Sequence, residues 1–91
     1  MANARQCYII AYDLHEGADY KALHDAIKSY GTWARITEST WAVVTSKTAE
    51  GVRNHLGELM DAEDRIFVVR SGVESAWRNP RCRSEWLKEY I

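Results

Sequence analysis

The feature that most constrains the fold of this chain is the apolar run Tyr8–Asp13, whose sequence is YIIAYD. Before its last residue the run has no charged side chain, and its residues are β-prone. A strand without apolar–polar alternation is typical of the middle of a sheet. We therefore predict a central strand over Gln6–Asp13. Its terminal carboxylate then lies at the edge of the core, where it is either a helix-start residue or a metal ligand.

The rest of the chain divides into further elements. Apolar residues recur at helical spacing after Asp19, a suitable N-cap, and Gly31 ends that segment. Two short β-prone runs flank the turn Glu38-Ser39. The predicted elements that follow the first strand are a helix over Asp19–Tyr30, strands over Thr32–Thr37 and Thr40–Thr45, a helix opened by Ser46–Thr48, a strand over Arg65–Arg70, and a tail helix capped by Ser84.

This βαββαβ order predicts a ferredoxin-like α+β fold. Such a fold has a four-stranded antiparallel sheet with both helices on one face, and here it would carry a C-terminal extension. The 91 residues are enough for one domain. We predict a disordered leader over residues 1–5, the ferredoxin-like domain over residues 6–78, and an amphipathic C-terminal tail over residues 79–91.

The two helices of this fold cover only one face of the sheet, yet the first and last strands are apolar on both faces. Tyr8 and Ile10 oppose Ile9 in the first strand, and Phe67 opposes Val68 in the last. Leaving the second face wet would expose an apolar patch of several hundred Å², which is uncommon on a monomer. Either the C-terminal tail or a second copy of the chain should cover it. We expect a homodimer, because two-fold pairing is the commonest solution.

Charge and cysteine content narrow the class of protein. The net charge of −1 argues against a generally basic nucleic-acid surface, although a local patch is compatible with it. Cys7 and Cys82 stand alone, at no metal-ligand spacing, and indicate reduced structural thiols. The sequence shows no signal peptide and no long apolar stretch, which predicts a cytoplasmic protein without a membrane segment.

Arginine is concentrated near the C-terminus, where Arg78, Arg81 and Arg83 lie between Trp77 and Trp86. Arginine with stackable aromatic rings is typical of contacts to phosphates and bases. The alternative is a solvated connector whose tryptophans pack on the sheet or on a partner subunit.

A further arginine, Arg35, lies in an otherwise apolar hairpin strand. It pairs with Glu38, pairs with an acid of a partner chain, or reaches a phosphate. With the tail arginines it completes the set of candidate nucleic-acid-binding residues.

Three segments, taken in order, carry a resemblance to a known family. They are the strand Tyr8–Asp13 with its Tyr-Asp end, the region from Tyr30-Gly31 to the hairpin Arg35–Trp41, and the strand Asp64–Val69. Together they resemble the CRISPR-associated protein two family and its orphan SinR-like branch. The segment Leu14–Ala18 departs from the family, which usually has a basic cluster after the aspartate.

The resemblance implies a ferredoxin-like homodimer in which the two Asp13 residues lie near each other across the two-fold axis. In the family this aspartate pair is assigned to Mg²⁺ and to cleavage of phosphodiester bonds in RNA or DNA. Many members nevertheless act as non-catalytic scaffolds for DNA. The resemblance thus implies Asp13 as metal ligand and catalytic residue.

His15 follows two residues later and is the second candidate catalytic residue, because histidine can accept or donate a proton near neutral pH. Each residue also has a plainer interpretation. Asp13 can be a strand-exit carboxylate that accepts backbone N–H groups, and His15 can be a solvated turn residue.

Two functions compete on these observations. The first is a nucleic-acid-handling homodimer, as a weak Mg²⁺-dependent endonuclease or as a scaffold. The second is a non-catalytic, dimeric protein-interaction module whose Trp-rich tail docks a protein partner. An RNA-recognition-motif sheet is disfavoured, because the strand Thr40–Thr45 lacks the required basic and aromatic pattern.

Overall fold

A computed structural model describes residues 4–91, and they form the predicted α+β arrangement. The order βαββαβ with a helix after it is confirmed. The elements are β1 (Gln6–Asp13), α1 (Tyr20–Lys28), β2 (Trp33–Thr37), β3 (Thr40–Thr45), α2 (Ala49–Gly57), β4 (Arg65–Arg70) and α3 (Ser84–Tyr90).

The strands form one antiparallel sheet in the order β2-β3-β1-β4. β1 lies between β3 and β4, so that Ile10 stands opposite Trp41 on one side and Val68 on the other. This is the strand order of a ferredoxin-like sheet, and it confirms β1 as a central strand. Its apolar composition follows from this position.

The helix ends are set by local residues. Asp19 accepts the N–H of Ala22 at 3.0 Å and begins α1, and Thr48 accepts the N–H of Gly51 at 3.0 Å and begins α2. Gly31 follows α1 with φ of 90°, which a residue with a side chain rarely adopts.

The prediction that Ser84 caps the tail helix is wrong. Arg83 occupies the N-cap position without a side-chain bond, and Ser84 is already helical. The Ser84 hydroxyl instead accepts the indole N–H of Trp77 at 3.4 Å. That contact links the connector before α3 to its first turn.

Both helices pack on the same face of the sheet, as predicted. Leu23 and Ile27 of α1 join Val52 and Leu56 of α2 in one core, and all are at most 1% exposed. The sheet contributes the other buried members, which are Tyr8, Ile10, Tyr12, Trp41 and Val43. Each such side chain contributes about 1.5–3 kcal/mol relative to an exposed one.

The tail helix covers part of the second, helix-free face within the same chain. Trp86, Tyr90 and Ile91 pack against a small cluster that includes Cys7 and Val44. Leu87 of the same helix is only 2% exposed, and it lines a cavity with Ile9 and Ile36 of the sheet. The tail alternative is therefore realised on the β3 side of this face.

The β4 side of the same face remains open to solvent. Phe67 is 63% exposed and Val69 is 42% exposed. They stand opposite Ala11 and Ile9 of β1. We call these four residues the apolar strip.

The ends of the described chain bear on two other predictions. Residues 1–3 of the predicted disordered leader lie outside the described residues. Arg5 is described, and its guanidinium donates to Thr32 Oγ1 at 3.0 Å and to the Val44 carbonyl at 3.3 Å. Of the helices within residues 4–91, none has the length and apolar character needed to cross a membrane.

Replacing Leu87 with alanine tests whether the tail helix is part of the core. We expect Leu87→Ala to lower the free energy of unfolding by about 2–5 kcal/mol, because it leaves a cavity between α3 and the sheet. Urea denaturation measures the change. Lys88→Ala, on the exposed side of the same helix, should change it by less than about 0.5 kcal/mol. Equal effects of the two substitutions would show that α3 does not pack as described.

Candidate functional site

Asp13, the candidate metal ligand, ends β1 at the rim of the apolar strip. Its side chain is 78% exposed, and its Oδ2 lies 3.7 Å from Nη1 of Arg65, which is 84% exposed. Exposed ion pairs of this kind contribute little to stability. The N-cap of α1 is Asp19, so Asp13 is not the helix-start residue. Asp13 is a carboxylate open to solvent beside one guanidinium.

His15 makes contacts of a different kind, to two aspartates of the loop before β4. Its backbone N–H and its Nδ1 lie 2.8 Å and 3.0 Å from Asp64 Oδ1. Its Nε2 lies 3.4 Å from Asp61 Oδ2. Asp64 also accepts the N–H of Asp61 at 2.9 Å, and its side chain is only 2% exposed. We call these three residues the His15 clasp, because they tie the loop after β1 to the loop before β4.

The clasp shifts the proton affinity of both its central members. The hydrogen bond to Asp64 raises the pKa of His15, and the nearby carboxylates of Asp61 and Glu63 add to the effect. Burial alone would raise the pKa of Asp64, but hydrogen bonds from Asp61 and His15 outweigh it and lower that pKa. Protonated His15 and ionised Asp64 therefore stabilise each other.

The His15 clasp could hold a metal ion. One ligand atom from each of its three residues lies within 4.8 Å of the others. An imidazole nitrogen with two carboxylates suits a transition metal better than Mg²⁺, which prefers oxygen ligands alone. Sequence reasoning singled out His15 but missed Asp61 and Asp64, although the acidic run 61–64 was visible. Asp13, the predicted ligand, does not belong to this group.

The pH dependence of stability tests the clasp. A pKa that is raised in the folded state stabilises fully below the unfolded value of about 6.5, and this stabilisation is lost as pH rises through the folded pKa. We expect His15→Ala to lower the urea midpoint more at pH about 5.5 than at pH about 8.5. The neighbouring Glu16→Ala serves as control and should lack this pH dependence. A loss that is the same at both pH values would contradict the proposed ion pair.

Three of the four predicted nucleic-acid-binding arginines are brought together along β2, the edge strand of the sheet. Arg35, Arg81 and Arg83 line a cavity of about 340 Å³ together with Trp33 and Trp86. We call these five residues the arginine edge. Residues far apart in the sequence meet here because the backbone N–H of Arg81 donates to the Ile36 carbonyl of β2 at 2.9 Å.

Arg78 is not among the residues that line the cavity of the arginine edge. A basic side chain outside the prediction lies close by instead. Lys28 Nζ stands 5.3 Å from the ring centre of Trp33. Positive charge is therefore concentrated locally at this edge, on a chain whose net charge is −1.

Arg35 is held in place by two contacts. Its Nε and Nη2 donate to the backbone carbonyl of Glu38 at 3.2 Å and 2.8 Å. Its guanidinium carbon lies 5.2 Å from the ring centre of Trp41. The predicted partner Glu38 is thus correct in position, but its carbonyl accepts the bonds and its carboxylate does not.

A buried polar group behind Arg35 was not predicted. The hydroxyl of Tyr12 lies 2.8 Å from His24 Nε2 and accepts the indole N–H of Trp41 at 3.2 Å. Burial, then the charges of Arg35 and Lys28, lower the pKa of His24. Burial raises the pKa of Tyr12. Both groups are therefore neutral at pH 7, and the histidine ring is fixed by the tyrosine.

No protein-family model matches this chain, and no solved structure matches it significantly. The resemblance to the CRISPR-associated protein two family therefore stays a hypothesis. The architecture shown is a small α+β fold with a four-stranded antiparallel sheet.

Proposed function

We propose that this chain binds single-stranded nucleic acid along the arginine edge. The observation that carries the proposal is the gathering of three separate arginines with two tryptophans around one cavity of about 340 Å³. Guanidinium groups bind phosphates, and indole rings provide faces on which bases stack. Single strands can use both, since their bases are not occupied by pairing.

The charge distribution favours binding at the arginine edge over nonspecific electrostatic attraction of nucleic acid to the whole surface. The net charge of −1 provides no long-range field for nucleic acid. Binding must then depend on a few contacts at β2, and its salt dependence must be correspondingly modest. This expectation separates the proposal from adsorption to a basic surface.

Removing two arginines of the edge tests the proposal. We expect Arg81→Ala with Arg83→Ala to weaken binding of a labelled single strand of about ten nucleotides, because two phosphate contacts are lost. The logarithmic salt slope should fall by about one for each contact removed. Fluorescence anisotropy across a salt series measures both quantities.

Arg53→Ala, an exposed arginine of α2 that pairs with Glu50, is the matched control. It should leave the affinity and the salt slope unchanged. Equal losses in the control and in the double variant would contradict a site on the arginine edge. Absence of measurable binding by the unaltered protein would refute the function itself.

A second candidate function is Mg²⁺-dependent cleavage of phosphodiester bonds by a homodimer. The observation that favours it is the position of Asp13, which lines one cavity with the exposed Phe67, at the end of the apolar strip. Two chains that cover their apolar strips with each other would bring their Asp13 residues toward one interface. The resemblance to the CRISPR-associated protein two family supports the same arrangement. A cytoplasmic location is part of this proposal, and the free thiols of Cys7 and Cys82 suit a reducing compartment.

A single chain does not fit Mg²⁺ at this position. Asp13 offers one carboxylate, and the nearest charged group is the guanidinium of Arg65 at 3.7 Å. Mg²⁺ favours octahedral oxygen coordination and is usually bound through one or two carboxylates. The second carboxylate would have to come from the partner's copy of the same residue.

The homodimer is tested by placing a charge in the apolar strip. We expect the unaltered chain to sediment as a dimer at micromolar concentration and Phe67→Asp to sediment as a monomer, because a buried unpaired carboxylate is costly. Leu59→Asp serves as the control, because Leu59 is an exposed apolar residue (47%) that lies after α2 and outside the apolar strip. This variant should remain a dimer. A monomeric unaltered protein would refute the dimer.

The cleavage activity is tested in the same proteins. Mg²⁺-dependent products from labelled RNA or DNA should disappear in Asp13→Ala and in Phe67→Asp, and they should persist in Asp61→Ala. Loss in Asp61→Ala alone would move the metal to the His15 clasp. Activity that survives EDTA and Asp13→Ala would eliminate this candidate.

The alternative of a protein-interaction module uses the tail helix as the docking element. In the structure, Trp86 and Tyr90 of that helix already pack on the chain's own sheet. A protein that dimerises but binds no oligonucleotide would favour this alternative over the nucleic-acid function.

A further inference from the structure

A second cavity adjoins the arginine edge and shares two of its arginines. It has a volume of about 450 Å³ and is lined by Arg35 and Arg81 together with Tyr20, His24, Glu38 and Ser39. The first cavity offers indole rings, whereas this one offers hydroxyl, imidazole and guanidinium groups. Arg35 and Arg81 therefore line both the cavity with the indole rings and this more polar cavity.

The guanidinium groups have donors to spare. Arg35 uses the N–H of Nε and one N–H of Nη2 on the Glu38 carbonyl, which leaves the two N–H groups on Nη1 and the second one on Nη2. Arg81 is held through its backbone at Ile36. Among residues 4–91 its side chain makes neither a hydrogen bond nor an ion pair. Both can therefore donate to a ligand without giving up a contact.

His24 contributes a neutral wall to this cavity. The Tyr12 hydroxyl receives the Trp41 N–H, and its shorter contact is to His24 Nε2 at 2.8 Å, compared with 3.4 Å to the Glu38 carbonyl. The Tyr12 hydroxyl therefore orients the imidazole ring through Nε2. Neutral His24 adds no charge to the cavity.

The cavity is closed at its back. Behind His24 lie Tyr12 and Trp41, which are 6% and 1% exposed. A strand that enters the cavity can leave it only through the mouth, so that an internal phosphodiester must bend back on itself to reach the bottom. The end of a strand fits without this bend.

We infer that this cavity takes the terminal phosphate of a nucleic-acid strand whose last base lies against the tryptophans of the arginine edge. A phosphate monoester carries a charge of about −1.5 to −2 near neutral pH, and an internal phosphodiester carries about −1, so two guanidiniums with unused donors favour the monoester. Glu38 is the one acidic residue in the lining and opposes the anion. The inference rests on the proposed function and specifies its substrate.

The preference for a terminal phosphate is measured by pairs of oligonucleotides. Single strands labelled at the 3′ end carry either a 5′-phosphate or a 5′-hydroxyl, and a second pair labelled at the 5′ end differs at the 3′ end. We expect one phosphorylated strand to bind about tenfold more tightly than its hydroxyl counterpart. Competition with inorganic phosphate shows whether the cavity recognises the anion without the strand.

Ser39 offers a matched pair of variants. Ser39→Asp places a carboxylate in the cavity within a turn that tolerates aspartate, and Ser39→Asn has the same size without the charge. We expect Ser39→Asp to abolish the preference for phosphate and to weaken binding of the phosphorylated strand more than binding of the hydroxyl strand. Ser39→Asn should retain the preference, and Glu38→Gln should increase it.

The outcomes separate this inference from the proposed function. Equal affinity for phosphorylated and hydroxyl strands at both ends, with binding still dependent on Arg83, overturns the terminal-phosphate site and leaves the arginine edge intact. Equal losses of preference in Ser39→Asp and Ser39→Asn also overturn it, because the charge would then play no part. Absence of binding to every strand overturns both.

Discussion

The central position of β1, between two strands and beneath two helices, is the constraint on which the rest of this structure depends. One face packs Tyr8, Ile10 and Tyr12 against α1 and α2, and the other places Cys7 under the tail helix. β1 also pairs with a strand on each side, so its backbone hydrogen bonds are satisfied within the sheet. An apolar strand is stable here only because helices and tail approach it from opposite directions.

The positions of the His15 clasp and of the arginine edge follow from this arrangement. Where β1 leaves the core, the chain passes from Asp13 to His15. Asp64, 49 positions further along the chain, accepts the backbone N–H of His15 and holds the loop after β1. On the opposite edge of the sheet, the tail contacts β2 before α3 packs on the second face. The bond from the Arg81 N–H to the Ile36 carbonyl fixes this contact, and Arg81 and Arg83 thereby lie near Arg35.

The same arrangement leaves one region of the sheet without a cover. α3 is short, spanning Ser84–Tyr90, and it lies over the β3 side of the helix-free face. Phe67 and Val69 on the β4 side therefore remain exposed to solvent. Large exposed apolar side chains that adjoin each other are uncommon on monomers, which is the physical basis for expecting a second chain there.

Much of the fold was predictable because its signals are local. The strands Gln6–Asp13, Thr40–Thr45 and Arg65–Arg70 have the predicted bounds. Asp19 begins α1 as predicted, since capping depends on neighbouring residues, but the helix ends at Lys28, about two residues before the predicted end at Tyr30. The cap of the tail helix failed by one residue, because Ser84 finds a partner in Trp77 that local sequence does not reveal.

The site was predictable only in part. Charge and hydrogen-bonding capacity identified the candidate arginines Arg35, Arg81 and Arg83. Their shared cavity, however, depends on how the tail contacts β2. His24 was given no role, although Tyr20 lies one helical turn before it and on the same side of α1. Its partner Tyr12 comes from a strand, and strand–helix pairings are not encoded by spacing along either element.

What the sequence determined by itself is the order of elements, the apolar faces and the kinds of chemistry present, because periodicity and side-chain type are properties of neighbouring residues. Tertiary structure alone decided that His15 meets Asp64 and not Asp13, and that Arg81 stands beside Arg35. Such contacts join distant positions through the sheet topology, and their distances exist only after β1 has paired with β3 and β4 and the tail has docked.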